Sequence, residues 1–189
     1  MHPEIGDAVE ILEALDLTFQ HAQQVIGNVQ PDQLDNKTPC PEWTVRDLLE
    51  HQIGVVAGLG AAAAGQPRPE FKLSADPAAQ FAEVSAATMR AWRAPGALDR
   101  IVDGGPGPMP GRVLAGINLL DTATHTWDIA TATGQPTALP TGVAEAAIEA
   151  SRAIISPEIR PGRFGDEVAA PPGADPTTLL VTFLGRTPE

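Results

Sequence analysis

The chain has no tyrosine, one cysteine and two lysines, and aromatic residues make up only 4% of its 189 positions. A single cysteine, Cys40, excludes an internal disulfide. The scarcity of aromatics leaves a core of Ala, Val, Leu and Ile, which favours helices, because sheets draw on β-branched and aromatic side chains. Twelve basic residues against 24 acidic ones give a formal charge of −12, and the few arginines are not clustered. Nucleic-acid backbones and anionic membranes both require clustered Lys and Arg, so neither is an expected partner. The acidic surface speaks for solubility and is silent on substrate. No apolar run approaches the roughly 20 residues that cross a bilayer, and the opening Met1–Asp7 stretch lacks an apolar signal core. A cytoplasmic protein is the expectation.

Apolar residues recur at helical spacing over Glu4–Asn28: Ile5, Ala8, Leu12, Leu15, Phe19, Ala22 and Ile26. Prolines mark a loop from Gln30 to Trp43. A second helix begins near Thr44, which can cap it with Asp47 three residues on, and runs to about Ala64. A third is expected over Pro77–Arg93, and the short segment 97–110 follows, with Gly104–Pro110 reading as a plain linker. A fourth starts at Gly111 and stops at Thr133-Gly134-Gln-Pro136, Gly then Pro being a common helix ending. An Ala-rich fifth covers Thr141–Ile155. Residues 156–176 are rich in Pro and Gly, and Thr177–Leu184 is a short apolar ending, helix or strand. The pattern predicts an all-α bundle over residues 1–155, with loops long enough for crossover connections, and a loop-rich C-terminal extension over 156–189 packing on it.

The fourth helix carries the chemistry. The stripe Val113, Ile117, Leu120, Asp121, Thr124, His125, Asp128 begins apolar, so should face a core, and then turns polar without changing face. Asp121 and His125 are four residues apart, one turn on the same side. They can share a metal ion or form a buried hydrogen-bonded pair; left alone, two such groups are costly to bury. Of the four histidines, His2 is terminal and His21 reads as structural. His51 sits beside the stripe of helix two, where it can face His125. His51, Asp121 and His125 make an N2O set, the three-ligand pattern with an open position that catalytic zinc sites use. Asp47, one turn before His51, and Asp128, one turn after His125, are placed to hold the outer ring nitrogens of those histidines, or to serve as a helix N-terminal carboxylate and a solvated one. Cys40 reads as a packed thiol with no histidine near it in sequence. Gly104-Gly-Pro-Gly107 lacks the Lys-Ser/Thr ending of a phosphate loop. Trp43 and Trp127 read as packing residues, Trp127 being close enough to His125 to wall a pocket.

Two motifs carry a resemblance. Thr38-Pro-Cys-Pro-Glu-Trp-Thr-Val-Arg-Asp-Leu-Leu-Glu-His51 resembles the T-P-C-x-x-W-x-V-x-x-L-x-x-H entry to helix two in actinobacterial metal-binding proteins, and Asp121-Thr-Ala-Thr-His-Thr-Trp-Asp-Ile-Ala-Thr-Ala-Thr-Gly134 resembles their D/E-x-x-x-H-x-W-D-x-A-x-A-x-G. Pro161-Gly-Arg-Phe-Gly165 resembles the tail of the same group. These proteins are related to the N-terminal domain of mycothiol-dependent maleylpyruvate isomerase.

The resemblance implies a DinB-like four-helix bundle holding one divalent metal through His51, Asp121 and His125. Zinc is the expected ion, with nickel, iron or manganese as alternatives. It also implies mycothiol as a thiol cofactor, with Trp127 helping to form its wall. The isomerase resembles Glu-x-x-x-His where this chain has Asp121, whose shorter arm requires a closer helix or a bridging water. The isomerase also has a separate C-terminal domain, whereas only the loop-rich residues 135–189 follow helix four here. Maleylpyruvate isomerisation is therefore not carried over. Two functions are expected: a metal- and thiol-dependent transferase or isomerase acting on an electrophilic small molecule, or a non-catalytic metal-binding or ligand-sensing bundle. Either could pair as a homodimer through a helix face.

Overall fold

The structure is a computed structural model and describes residues 8–41, 43–105 and 107–188, with the side chains of 8–10 left aside. His2 and the expected helical start over Glu4–Asp7 lie outside the described residues. Among the described residues six α-helices form: α1 (Ala8–Gly27), α2 (Val45–Ala63), α3 (Pro77–Trp92), α4 (Gly111–Ala132), α5 (Val143–Ile154) and α6 (Pro176–Phe183). The all-α expectation holds, and the apolar ending resolves to a helix. Among the described residues no helix is long and apolar enough to cross a membrane.

Local chemistry sets the helix ends. Thr44 Oγ1 accepts from the Asp47 N–H (3.3 Å), and Asp47 Oδ2 accepts from the Thr44 N–H (2.9 Å), a reciprocal capping box with Asp in the place of Glu. Asp76 caps α3 by accepting from the Ala79 N–H. At the end of α4, Gly134 takes φ +68°, and the Gln135 N–H reaches back to the Ala130 carbonyl (2.9 Å), closing the helix with a residue in the left-handed region.

Packing contacts place α1 beside α3 and α4, and α2 beside α3 and α4. The order round the bundle is therefore α1, α3, α2, α4, and the links α1→α2 and α3→α4 cross its diagonals, as the long loops predict. Gly104–Pro110 is not the plain linker expected: Ile101–Asp103 (β1) pairs antiparallel with Pro108–Pro110 (β2), with Val102 opposite Met109. Gly104 allows this hairpin to lie against the bundle, since a Cβ there would stand 2.9 Å from a Leu59 methyl.

Leu15, Phe19, Leu48, Ile53, Phe81, Leu114 and Leu119 form the core, where burying each large side chain contributes about 1.5–3 kcal/mol. Phe19 meets Phe81 edge-on, centroids 5.9 Å apart. Helix α4 is central and contacts α1, α2 and α5. Every residue from Asn118 to Ala130 is buried except Asp121. This refines the amphipathic-stripe picture: of the residues expected to face the core, Leu120 is buried, Ile117 is half-buried and packs against the core, and Val113 is half-buried, while the other sides of this stretch are enclosed as well. Leu180 and Leu184 of the C-terminal stretch join the core, and α6 packs on α5.

Candidate metal centre

The one opening along the buried stretch of α4 is where His51, Asp121 and His125 meet. His51 Nε2 lies 3.2 Å from Asp121 Oδ1, and His125 Nε2 lies 3.7 Å from the same oxygen. The two imidazoles are perpendicular, centroids 4.9 Å apart. One donor atom from each residue falls within 4.8 Å of the other two. Buried Gln52 holds α2 against α4 at this height, its amide donating to the Thr122 carbonyl (3.2 Å) and to Thr126 Oγ1 (2.9 Å). This close approach is why the short arm of Asp121 still reaches His51.

Asp121 Oδ2 is buried and has no hydrogen-bond partner among the described residues. Asp121 thus turns Oδ1 to two imidazole nitrogens and leaves Oδ2 unmet; a carboxylate with a spare oxygen in an N2O donor set fits a divalent cation, the missing partner being an electropositive one. Burial alone would raise the Asp121 carboxyl, but neighbouring His125 and His51 hold it below the usual carboxylate range. It is therefore an anion, as a ligand must be.

Behind His125 stands Asp128, with a fully buried side chain. Its Oδ2 accepts from His125 Nδ1–H (3.0 Å). Arg186 closes on both oxygens of Asp128, Nη2 donating to Oδ2 (2.8 Å) and Nε to Oδ1 (3.2 Å). Burial would raise the Asp128 carboxyl, but the hydrogen bonds from His125 and Arg186 bring it below its ordinary value. With Asp128 ionised, Nδ1 of His125 is a proton-bearing nitrogen, and Nε2 is the ring atom turned towards Asp121 and the one placed to ligate. Removing one partner of a buried ion pair of this kind costs about 3–5 kcal/mol.

The α1→α2 loop lays a lid on this centre. Gln33 and Asn36 donate to the Thr133 and Ala132 carbonyls at the end of α4. Thr38 Oγ1 accepts from the Cys40 N–H (3.2 Å) and donates to the Trp43 carbonyl (2.9 Å). The Thr-Pro-Cys segment is thereby folded so that the Trp43 ring sits 4.6 Å from His51 and 5.9 Å from His125. Beyond His51 opens a cavity of about 500 Å³ lined by Trp43, Asp47, Glu50, His51, Gly54, Arg68 and Phe71. The α2→α3 loop forms its far wall. A Cβ on Gly54 would stand 3.1 Å from the Phe71 ring, and one on Gly58 would stand 3.1 Å from Arg68 Nε, so both side chains lie flat on glycines of α2.

The structure thus gathers His51, Asp121, His125 and Asp128 as the sequence spacing suggests. It places the others differently. The Asp47 carboxylate is exposed and engaged by Thr44, with no hydrogen bond to the His51 ring. Trp127 is buried and does not line the cavity; Trp43 takes the place at the histidines that was expected of it. His21 is half-buried, and burial lowers its pKa, in line with a structural role.

Cys40 is not remote from a histidine, because its sulfur falls within 4.8 Å of donor atoms of His125 and Asp128. That second grouping is the poorer cation site. Asp128 is already committed to Arg186, and burial together with the Asp128 charge pushes the Cys40 thiol up, away from the thiolate that binds metals. Sequence reasoning missed Arg186 altogether. The available signal was Asp128 itself, a carboxylate near the end of a helix too apolar to be solvated, which demands a cation from elsewhere in the chain.

An all-α bundle with a histidine–carboxylate centre between two of its helices is the class that fold and site define. Residues 19–130 match the model of the mycothiol maleylpyruvate isomerase N-terminal domain. The chain belongs to that family. Two curated relatives, each an uncharacterized protein of Mycobacterium tuberculosis (strains CDC 1551 / Oshkosh and ATCC 25618 / H37Rv), are 38% identical over 177 residues, covering 90% of this chain and 97% of theirs. The crystal structure of the mycothiol-dependent maleylpyruvate isomerase aligns with a TM-score of 0.49 at 16% identity, over 75% of this chain and 68% of that one.

Proposed function

We propose that this protein binds one divalent metal ion, zinc foremost, through His51, Asp121 and His125, and uses it with a small-molecule thiol, mycothiol by family, in transferase or isomerase-like chemistry on an electrophilic small molecule. The observation that carries the reading is the meeting of one donor atom each from His51, Asp121 and His125 within 4.8 Å of one another, with Asp121 Oδ2 buried and without a partner among the described residues, and with His51 lining a cavity of about 500 Å³. A metal ion there supplies a Lewis acid that lowers the pKa of a thiol towards neutrality. The chain's own residues do the rest. Asp128 holds His125 in one tautomer. Trp43 and Phe71 give the open cavity two aromatic surfaces, and Arg68 and Glu50 among its lining residues offer polar contacts.

The test is elemental analysis of untagged protein, wild type beside His51→Ala and Asp121→Ala, followed by calorimetric titration with mycothiol. The expected result is about one metal per chain, lost in both variants, with thiol binding lost alongside it in His125→Ala. Metal-free wild type after incubation with zinc, or undiminished thiol affinity without metal, overturns the reading. One observation favours the non-catalytic alternative: Asp47 and Asp128 are both engaged in internal hydrogen bonds, so neither is a free base at the centre. Thiol and metal binding without turnover of any electrophile would support that alternative.

A further inference from the structure

The Pro161–Gly165 motif has no part in the chemistry so far, yet it lies at the root of how Arg186 reaches Asp128. Helix α6 ends on Gly185, whose φ is +85°. The Gly185 N–H returns to the Thr182 carbonyl (3.0 Å) and the Arg186 N–H to the Val181 carbonyl (2.9 Å), a glycine-dependent reversal of the chain. At this reversal the backbone passes directly over Gly165. A Cβ on Gly185 would stand 2.6 Å from Gly165 Cα and 3.0 Å from the Asp166 carbonyl oxygen. Arg160 fastens the crossing from beneath, donating to the carbonyls of Gly165 (2.7 Å) and Phe183 (2.9 Å) with its guanidinium 4.9 Å from the Phe183 ring centre. Immediately beyond the crossing, Arg186 enters the protein and takes both oxygens of Asp128.

We propose that the C-terminal segment is a working part of the metal centre: docked through the Gly165–Gly185 crossing, it delivers Arg186 as a positioning residue that fixes the Asp128 carboxylate, and through it the His125 ring, for metal binding. The inference rests on the reading that His51, Asp121 and His125 hold the ion. Its physical basis is that a carboxylate gripped on both oxygens by a planar guanidinium cannot rotate. The Oδ2 lone pair that accepts from His125 Nδ1–H is then held in one direction, and so is the imidazole. Partners of this kind that orient a metal-binding histidine set the affinity of the site as well as its shape.

Zinc affinity of the full chain, read by competition with a chromophoric chelator, tests it. Arg186→Gln and Gly185→Ala are each expected to bind zinc about 10–100-fold more weakly than wild type, with unchanged far-UV circular dichroism. Arg186→Lys should fall between, because it keeps the charge and loses the two-pronged grip. Asp128→Asn/Arg186→Gln should bind no more weakly than Asp128→Asn alone, since Arg186 acts through Asp128; a general loosening of the fold would make the two losses add. Should Arg186→Gln fail to fold, Arg186→Lys, which keeps the buried pair charged, decides in its place. Wild-type zinc affinity in it overturns the proposal, and a loss of affinity supports it. Arg186→Gln binding zinc like wild type, while His125→Ala does not bind, overturns this inference and leaves the metal reading intact. Wild type that takes up no zinc overturns both.

Discussion

Replacing Asp121 by Asn separates a metal centre from a structural hydrogen-bond pair. If Asp121 serves as a structural partner of the two histidines, losing its charge removes a charge-assisted contact to His51 at 3.2 Å and one to His125 at 3.7 Å. The metal-free protein should then be destabilised by about 1.5–3 kcal/mol. If Asp121 is a ligand, its buried Oδ2 is an unmet acceptor that costs about 1–3 kcal/mol of desolvation in the metal-free state. The two effects then offset, and metal-free Asp121→Asn should unfold within about 1 kcal/mol of wild type. Zinc should tell the proteins apart. At a free concentration of 100 Kd it stabilises a folded site by about 2.7 kcal/mol, which in a protein of this size raises Tm by roughly 5–11 °C. Scanning calorimetry with and without zinc is expected to show that rise in wild type and none in Asp121→Asn. A zinc-dependent rise that survives in the variant, or a metal-free Asp121→Asn weakened by several kcal/mol with no zinc effect in wild type, would refute the reasoning.

Cys40→Ser should keep one metal per chain by elemental analysis; loss of the ion would move the centre to the Cys40, His125 and Asp128 grouping. In the metal-free protein, Asp121 and Asp128 both have depressed carboxyl pKa values, so the stability they confer is in place above the unfolded value of about 3.9 and lost as pH falls below it. Urea midpoints measured between pH 6 and 3 should therefore drop on acidification, and a flat profile would contradict the assignment. Gly60→Ala places a Cβ 3.0 Å from the Thr88 backbone and should cost about 1–3 kcal/mol despite its better helix propensity. In Gly54→Ala the nearest atoms to the new Cβ belong to the half-buried side chain of Phe71, and stability should stay within about 1 kcal/mol in thermal melts.

Helices were legible in this sequence wherever the cause was local. Thr44 with Asp47, and Gly134 before Pro136, mark ends that depend on neighbours within a few positions, and the structure puts α2 and α4 there. Spacing on one helix likewise made Asp121, His125 and Asp128 legible as a group, since one turn of α-helix fixes their mutual reach. Contacts across the bundle were not legible. Periodicity on α4 suggested one buried face, but a central helix is covered from several sides, and its more open side is marked by the half-buried Val113, Ile117 and Asp121. Trp43 and Cys40 reach the histidines only because the loop crosses a diagonal and is pinned to the carbonyls ending α4, a constraint with no local signature. Arg186 is the extreme case, lying 58 residues from its partner in sequence. What could have pointed to it is an energetic demand. Asp128 lies within a run of α4 that is buried on every side, and a carboxylate there must draw a cation from somewhere in the chain. Of ten arginines, Arg186 is the one that follows a glycine closing the last helix, where the backbone can reverse and drive a side chain inwards. A buried charge and a glycine-terminated helix, read together, form a long-range signal of a kind that hydrophobic periodicity does not carry.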